Sequence, residues 1–150
     1  MSTADPLVRR QPGAAGQESA GTGQPLRLLV SRSRPPEFVT GVAARLDAVL
    51  VPMGSAGAKA AAVIDGQADA YVHSGGQYEW DSAAPVAVAR AAGLHASRID
   101  GSDLRYNQEN PSVPDILICP MHLAAALLGA ISSSRSAQPT PAERSSTTTQ

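Results

Sequence analysis

The sequence predicts an α/β layered domain, on three observations. Short apolar runs of strand type recur at Leu28–Val30, Val49–Met53, Ala68–His73 and Ile116–Cys119. Segments with apolar residues at helical spacing lie between them, and glycine, proline and serine clusters mark the boundaries. Strands alternating with helices are the pattern of a sheet covered by helical layers.

Residues 1–25 are rich in Gly, Ala, Ser, Gln and Pro and have no apolar period, so a disordered leader is expected there. The first strand, Leu28–Val30, ends in a Ser/Arg/Pro cluster that reads as a loop. Pro35 and Pro36 can open a helix, because the first turn has no use for their missing N–H. Phe38, Val39, Val42, Ala43 and Leu46 then recur at helical spacing up to Asp47. Val49–Met53 is the second strand. Gly54 to Lys59 opens a second helix, which Gly66 stops, and Ala68–His73 is the third strand.

The stretch from Gly75 to Gly93, GGQYEWDSAAPVAVARAAG, organises the rest. Gly75-Gly76 predicts a turn, and Asp81 is placed as the N-cap of a helix that carries Pro85 in its first turn. That helix has Arg90 as its only charge and no wide polar face, which predicts burial between layers. Residues from Ile99 to Asn107 are loop-like, Ile116–Cys119 is a last strand and Met121–Ile131 a last helix. The organisation expected is a leader over 1–25, one domain over 26–131 and a polar, disordered tail over 132–150.

Composition narrows the function classes. Twelve basic residues against thirteen acidic ones give a formal charge of -1, which offers no field for a nucleic-acid polymer or an anionic membrane. Hydrophobic content is 43% but much of it is alanine, and only 3% is aromatic, so the core is extensive and shallow. The single cysteine, Cys119, cannot form an internal disulfide. No apolar run approaches the roughly 20 residues of a membrane span. A cytoplasmic protein is expected.

Two helix starts could carry chemistry. At Gly54-Ser55, free N–H groups, the helix dipole and nearby Lys59 suit a phosphate or sulfate group. A Ser-capped helix packed on its sheet explains the same residues, and the segment is not a P-loop, because Ala60 follows the lysine. Asp81 reads from the residues alone as a helix cap, which is far commoner than a metal ligand, and one carboxylate cannot make a magnesium site. Glu79 reads as a surface or supporting residue, Trp80 as a core anchor, and His73, His95 and His122 as structural. Cys119 reads as a buried thiol.

The run Trp80-Asp81-Ser82-Ala83-Ala84, with Gly93 closing the helix and GSDLRYN at Gly101 to Asn107 after it, resembles the C-terminal signature of the inositol monophosphatase superfamily. With Gly54-Ser55 through Lys59 and AYVHSGGQYEWDSAAP, the chain looks most similar to the 3′(2′),5′-bisphosphate nucleotidases of CysQ type. The resemblance covers about Leu28 to Leu127. It implies a mixed sheet with layered helices, the C-terminal half of the sugar-phosphatase fold. It also implies Mg²⁺-dependent hydrolysis of 3′-phosphoadenosine 5′-phosphate, a nucleotide bisphosphate, to AMP and phosphate. Asp81 becomes a magnesium ligand and a substrate contact, and Ser55, Lys59 and Ser33 match the substrate wall. Inositol phosphate is the alternative substrate.

The family's upstream glutamate and its Asp-Pro-Ile/Leu-Asp-Gly-Thr/Ser motif have no counterpart in this sequence. Ile64-Asp65-Gly66 and Ile99-Asp100-Gly101-Ser102 look like that motif's tail without its Asp-Pro, and read as a helix end and a turn. No catalytic residue is therefore assigned. Alongside a phosphatase with an incomplete metal site stand two other expectations. One is a non-catalytic nucleotide-phosphate-binding module; the other is a fragment whose exposed face needs a partner chain.

Overall fold

β1 (Leu26–Ser31) is the apolar run expected at this point, with Leu28, Leu29 and Val30 all buried. Burial of three consecutive residues means that both faces of the strand are covered, which a central parallel strand requires. The computed structural model describes residues 23–138. The leader expected over 1–25 lies almost wholly outside that range, as does most of the tail expected over 132–150.

Four further strands, β2 (Ala48–Met53), β3 (Ala70–Tyr78), β4 (His95–Ser97) and β5 (Ser112–Cys119), complete one sheet in the order β2-β1-β3-β5-β4. β1 pairs with β2 and β3 in parallel, whereas β5 pairs with β3 and β4 antiparallel, so the sheet is mixed. The helices are α1 (Val39–Leu46), α2 (Ala56–Ile64), α3 (Glu79–Ala91) and α4 (Ala124–Ser136). α1 and α4 pack together, and one core lies beneath them around Leu28, Val42, Leu117, Leu127 and Ile131. α2 and α3 pack together over the second core, formed by Leu29, Val63, Tyr71, Val86, Ile116 and Ile118. The alternation of β5 residues between the two clusters, Leu117 to one and Ile118 to the other, is the period of a strand buried on both faces.

Several boundaries differ from the sequence expectations. α1 begins at Val39 rather than at the prolines, and the Pro36 carbonyl accepts the Val39 N–H at 3.2 Å. The helix ends at Asp47 in the left-handed region (φ 51°). α4 continues to Ser136, past the boundary expected at Ile131. The close approach of α1 explains the extension: Ser134 is buried against Gly41, where a Cβ would stand 2.9 Å from the Ser134 Oγ, and Arg45 donates to that oxygen at 3.3 Å.

The largest difference is at Gly75-Gly76. These glycines do not end the third strand, which runs on to Tyr78. Ser74 pairs with Asp115 and Gln77 with Val113, so two residues of β3 stand against Pro114 alone. This is a β-bulge, with Gly75 at φ +81°, a conformation that costs glycine nothing. Pro114 has no N–H to give to the ladder, and the bulge is where the ladder is already interrupted.

Candidate active site at the head of α3

Parallel α/β sheets place ligands beyond the carboxyl ends of their strands. At those ends here lie the loop after β1 with Ser33, the β2–α2 turn with Ser55, and the start of α3 with Asp81. The ladder between β1 and β3 is confined to Leu28–Leu29 against Ala70–Tyr71, which leaves the outer parts of the two strands unpaired with each other. The β1 loop is folded by serine: Ser31 Oγ accepts the Arg34 N–H at 3.1 Å and lies 3.5 Å from the Ser33 Oγ. Ser33 itself is exposed.

Ser55 caps α2, accepting the Ala58 N–H at 3.3 Å. Its backbone stands at φ 61°, ψ 123°, a combination that L-residues other than glycine rarely adopt and that costs of order 1–3 kcal/mol. Replacing the cap by glycine forfeits only a few tenths of that. Ser55→Gly is therefore expected to raise stability by about 1 kcal/mol after the added freedom of the unfolded chain is counted, read as an increased urea midpoint. An unchanged or lowered midpoint would show that the conformation is not strained.

Lys59 stands in the first turns of α2, behind Ser55. Its side chain lies inside, only 4% exposed, donating to the Met53 carbonyl at 2.9 Å with the ammonium 5.2 Å from the centre of the Tyr71 ring. Burial lowers its pKa, and the charge of Arg32 lowers it further. Tyr71, buried and approached by the Asp81 charge, has its phenol pushed up to about 12, against the opposing effect of the Gln77 hydrogen bond. That bond, from Gln77 Nε2 to the Tyr71 hydroxyl, is 2.6 Å. His73 sits beside them with Nε2 on the Gly75 carbonyl, and burial lowers its pKa. The Nδ1 of His73 and the Oε1 of Gln77 are buried without a protein partner. Lys59, Tyr71, His73 and Gln77 thus form a polar cluster inside the α2/α3 layer. Sequence reasoning set His73 aside and did not single out Tyr71 or Gln77. The signal was the period of two along β3, carried past the Gly-Gly pair only if that pair is read as a bulge.

Asp81 lies in the first turn of α3 but is not its N-cap. The helix starts at Glu79, and Asp81 reaches back to accept the Tyr78 N–H at 3.0 Å, satisfying a donor that the helix leaves free. The earlier start has three consequences. Pro85 falls in the second turn, where its missing N–H deprives the Asp81 carbonyl of its usual helical donor. Glu79 is the first helical residue, and it accepts the Gln108 N–H at 3.0 Å, tying down the loop before β5. Trp80 is not a core anchor: it is 67% exposed and stacks on Tyr78 with ring centroids 4.5 Å apart. The burial expected all round α3 is also only half present, because Ser82, Val86 and Ala89 are buried whereas Val88 is 55% exposed.

The two motif-like runs behave as expected. Asp65 ends α2 and Gly66 follows at φ +74°, while Asp100 accepts from both the backbone and the hydroxyl of Ser102 in a turn with Gly101 at φ +88°. Cys119 is a buried thiol, pushed up to about 12 by burial. Among the described residues no group of three or more His, Cys, Asp and Glu side chains is placed to hold a metal ion. A magnesium site needs several oxygen ligands, and the head of α3 carries two carboxylates, Glu79, which accepts the Gln108 N–H, and Asp81, which accepts the Tyr78 N–H. The described residues do not by themselves fit that cation. Among them, no helix is long and apolar enough to cross a membrane.

The model of the inositol monophosphatase family matches residues 22–136. The 3′-phosphoadenosine 5′-phosphate phosphatase of Mycobacterium tuberculosis is 54% identical over 125 residues, which make up 83% of this chain and 47% of that protein. The chain thus spans about half the length of this relative. The crystal structure of CysQ from Bacteroides thetaiotaomicron superposes with a TM-score of 0.55 at 31% identity, over 66% of this chain and 38% of that one. An IMPase/NADP phosphatase complexed with NADP and Ca²⁺ shares the fold, with a TM-score of 0.57 at 18% identity over 71% of this chain and 40% of its own.

Proposed function

This chain belongs to the inositol monophosphatase family, and from that premise we propose that it serves a 3′-phosphoadenosine 5′-phosphate phosphatase. The reaction is magnesium-dependent hydrolysis to AMP and inorganic phosphate, in the cytoplasm. The observation that carries this reading is the 54% identity to a phosphatase of that specificity over 125 residues, a stretch that includes the whole Trp80-Asp81 element. In this reading Asp81 is one ligand of the cation and contacts the substrate phosphate. A divalent cation held in part by Asp81 would supply positive charge to offset that of the substrate phosphate. The N–H groups at the head of α3 and the dipole of that helix favour an anion at the same place. Ser55 and Ser33 line the substrate side from the β2 and β1 ends. Lys59 supports the anion from beneath, where its charge is held by the Met53 carbonyl and the Tyr71 ring.

Because the cation's ligand set is incomplete here, the chain alone is expected to release no phosphate at a useful rate. That same incompleteness favours the second reading, a module that binds a nucleotide bisphosphate without turning it over. An inositol phosphate is the alternative ligand. The test is release of inorganic phosphate from 3′-phosphoadenosine 5′-phosphate by the purified chain in magnesium, together with calorimetric binding of the same nucleotide. Asp81→Ala and inositol monophosphate serve as controls. The expected outcome is nucleotide binding weakened at least tenfold by Asp81→Ala, with turnover absent. Binding that ignores this substitution, or that prefers inositol monophosphate, would overturn the proposed site or its ligand.

A further inference from the structure

The first turn of α3 is held from outside by the loop between β4 and β5. The Pro111 carbonyl accepts the Glu79 N–H at 2.7 Å, the Gln108 N–H reaches the Glu79 carboxylate at 3.0 Å, and the Tyr106 hydroxyl lies 3.1 Å from the Ser82 Oγ. The third contact stands apart from the other two. Ser82 is 1% exposed and directly follows Asp81, so its bond to Tyr106 fastens the turn on the far side of the carboxylate. The loop is itself braced: Leu104 is buried in the second core, Tyr106 packs against that core, and Gln108 Nε2 donates to the Tyr106 carbonyl at 3.1 Å.

Left to itself this turn is weak. Helical geometry gives it the Ala83 N–H on the Glu79 carbonyl and the Ala84 N–H on the Trp80 carbonyl, but Pro85 has no N–H to offer Asp81. A rival arrangement lies close by, in which the helix starts at Ser82 and Asp81 becomes its N-cap, accepting the N–H of Ala83 or Ala84. The two arrangements treat an anion differently. With the turn closed, Asp81 gives Oδ2 to the Tyr78 N–H, and the Trp80 N–H is among the donors that a helix start leaves free for an anion. With the turn open, the Asp81 carboxylate occupies the helix start itself. We propose that Tyr106 is a positioning residue for the head of α3, keeping the turn closed through Ser82 so that the helix start stays open to an anionic group of the ligand. The inference rests on the reading of the α3 head as the phosphate end of a nucleotide site.

It is tested on the full chain with Tyr106→Phe, which removes the hydroxyl and keeps the ring, with Ser82→Ala, and with each of them combined with Asp81→Ala. One readout needs no ligand. Exchange of the Tyr78 amide, followed by NMR, is expected to quicken about tenfold in Tyr106→Phe and in Ser82→Ala alike, because opening the turn removes its acceptor. The near-ultraviolet circular dichroism of the Tyr78–Trp80 stack, which holds the chain's only tryptophan, should fall with it. The other readout is calorimetric binding of 3′-phosphoadenosine 5′-phosphate, expected to weaken about fivefold in either variant. No further loss is expected where Asp81→Ala is already present, since the rival cap is then gone. Unchanged Tyr78 exchange would overturn the proposal. So would an equal loss of binding with and without Asp81, which is what a general loosening of the fold would give. If the unsubstituted chain binds no nucleotide, the phosphatase reading fails, and quickened exchange still supports the hold of Tyr106 on the turn.

Discussion

Asp115→Ala is expected to lower the free energy of unfolding by about 2–4 kcal/mol. Asp115 is buried in β5 and accepts three hydrogen bonds: from Arg98 Nε at 3.2 Å, from Arg98 Nη2 at 3.0 Å, and from the Ile99 N–H at 2.9 Å. Hydrogen bonding to Asp115 also raises the pKa of Arg98, so the guanidinium stays charged throughout. The two losses differ in kind. Arg98 is about one-third exposed and can turn to water, which keeps its share small. The Ile99 N–H belongs to a buried residue and is left without an acceptor, at a cost of about 1–3 kcal/mol. Asp115→Asn separates the two, because an amide oxygen can still accept from Ile99 while the forked ion pair is gone. Its expected loss is about half that of the alanine variant. Urea unfolding of the three proteins decides the matter, and equal losses for Asn and Ala would mean that charge, not the backbone contact, holds β5 to the loop after β4.

Leu117→Ala is expected to cost about 3 kcal/mol, on the order of 10 °C in Tm for a domain of this size. Leu117 has no exposed surface, stands in the strand paired on both sides, and contributes to the core beneath α1 and α4. Backbone held by ladders to β3 and β4 cannot collapse into the space vacated, so the cavity persists. Val88→Ala, which removes fewer atoms from an exposed position, should shift stability by no more than about 0.5 kcal/mol. Thermal scans of both variants test the contrast. A Leu117→Ala loss below about 1 kcal/mol would show that the two helices of that layer close over the gap.

What the sequence disclosed and what it hid follow from the range of the forces involved. Local signals were sufficient for β1, β2 and α2, where an apolar run, a Ser cap and a Gly stop lie within a few residues of one another. They also identified the Trp80-Asp81 element as the likeness-bearing site. The register of α3 was misplaced because Asp81 is as good an acceptor at the third helical position as at the cap, and only the Tyr78 N–H tells which it serves. Gly75-Gly76 looked like a turn because the partner that makes it a bulge, Pro114, is far away in sequence. β4 is three residues long and owes its existence to β5 rather than to its own propensity. Lys59 could not be assigned its buried position, since that depends on Tyr71 and the Met53 carbonyl arriving together.

The place of β5 in the sheet has a consequence for the order in which the chain is made. β3 and β4 precede β5, yet each reaches the other only through it. Until Cys119 has left the ribosome, one whole side of β3 has no ladder partner and β4 has none on either side. Every pairing in the sheet also spans an intervening helix or long loop, the kind of contact that forms slowly. A nascent chain therefore carries an open β3 edge until β5 has been made, a state that invites pairing with other chains. β5 alone joins β3 to β4 and so closes this side of the sheet in a single step.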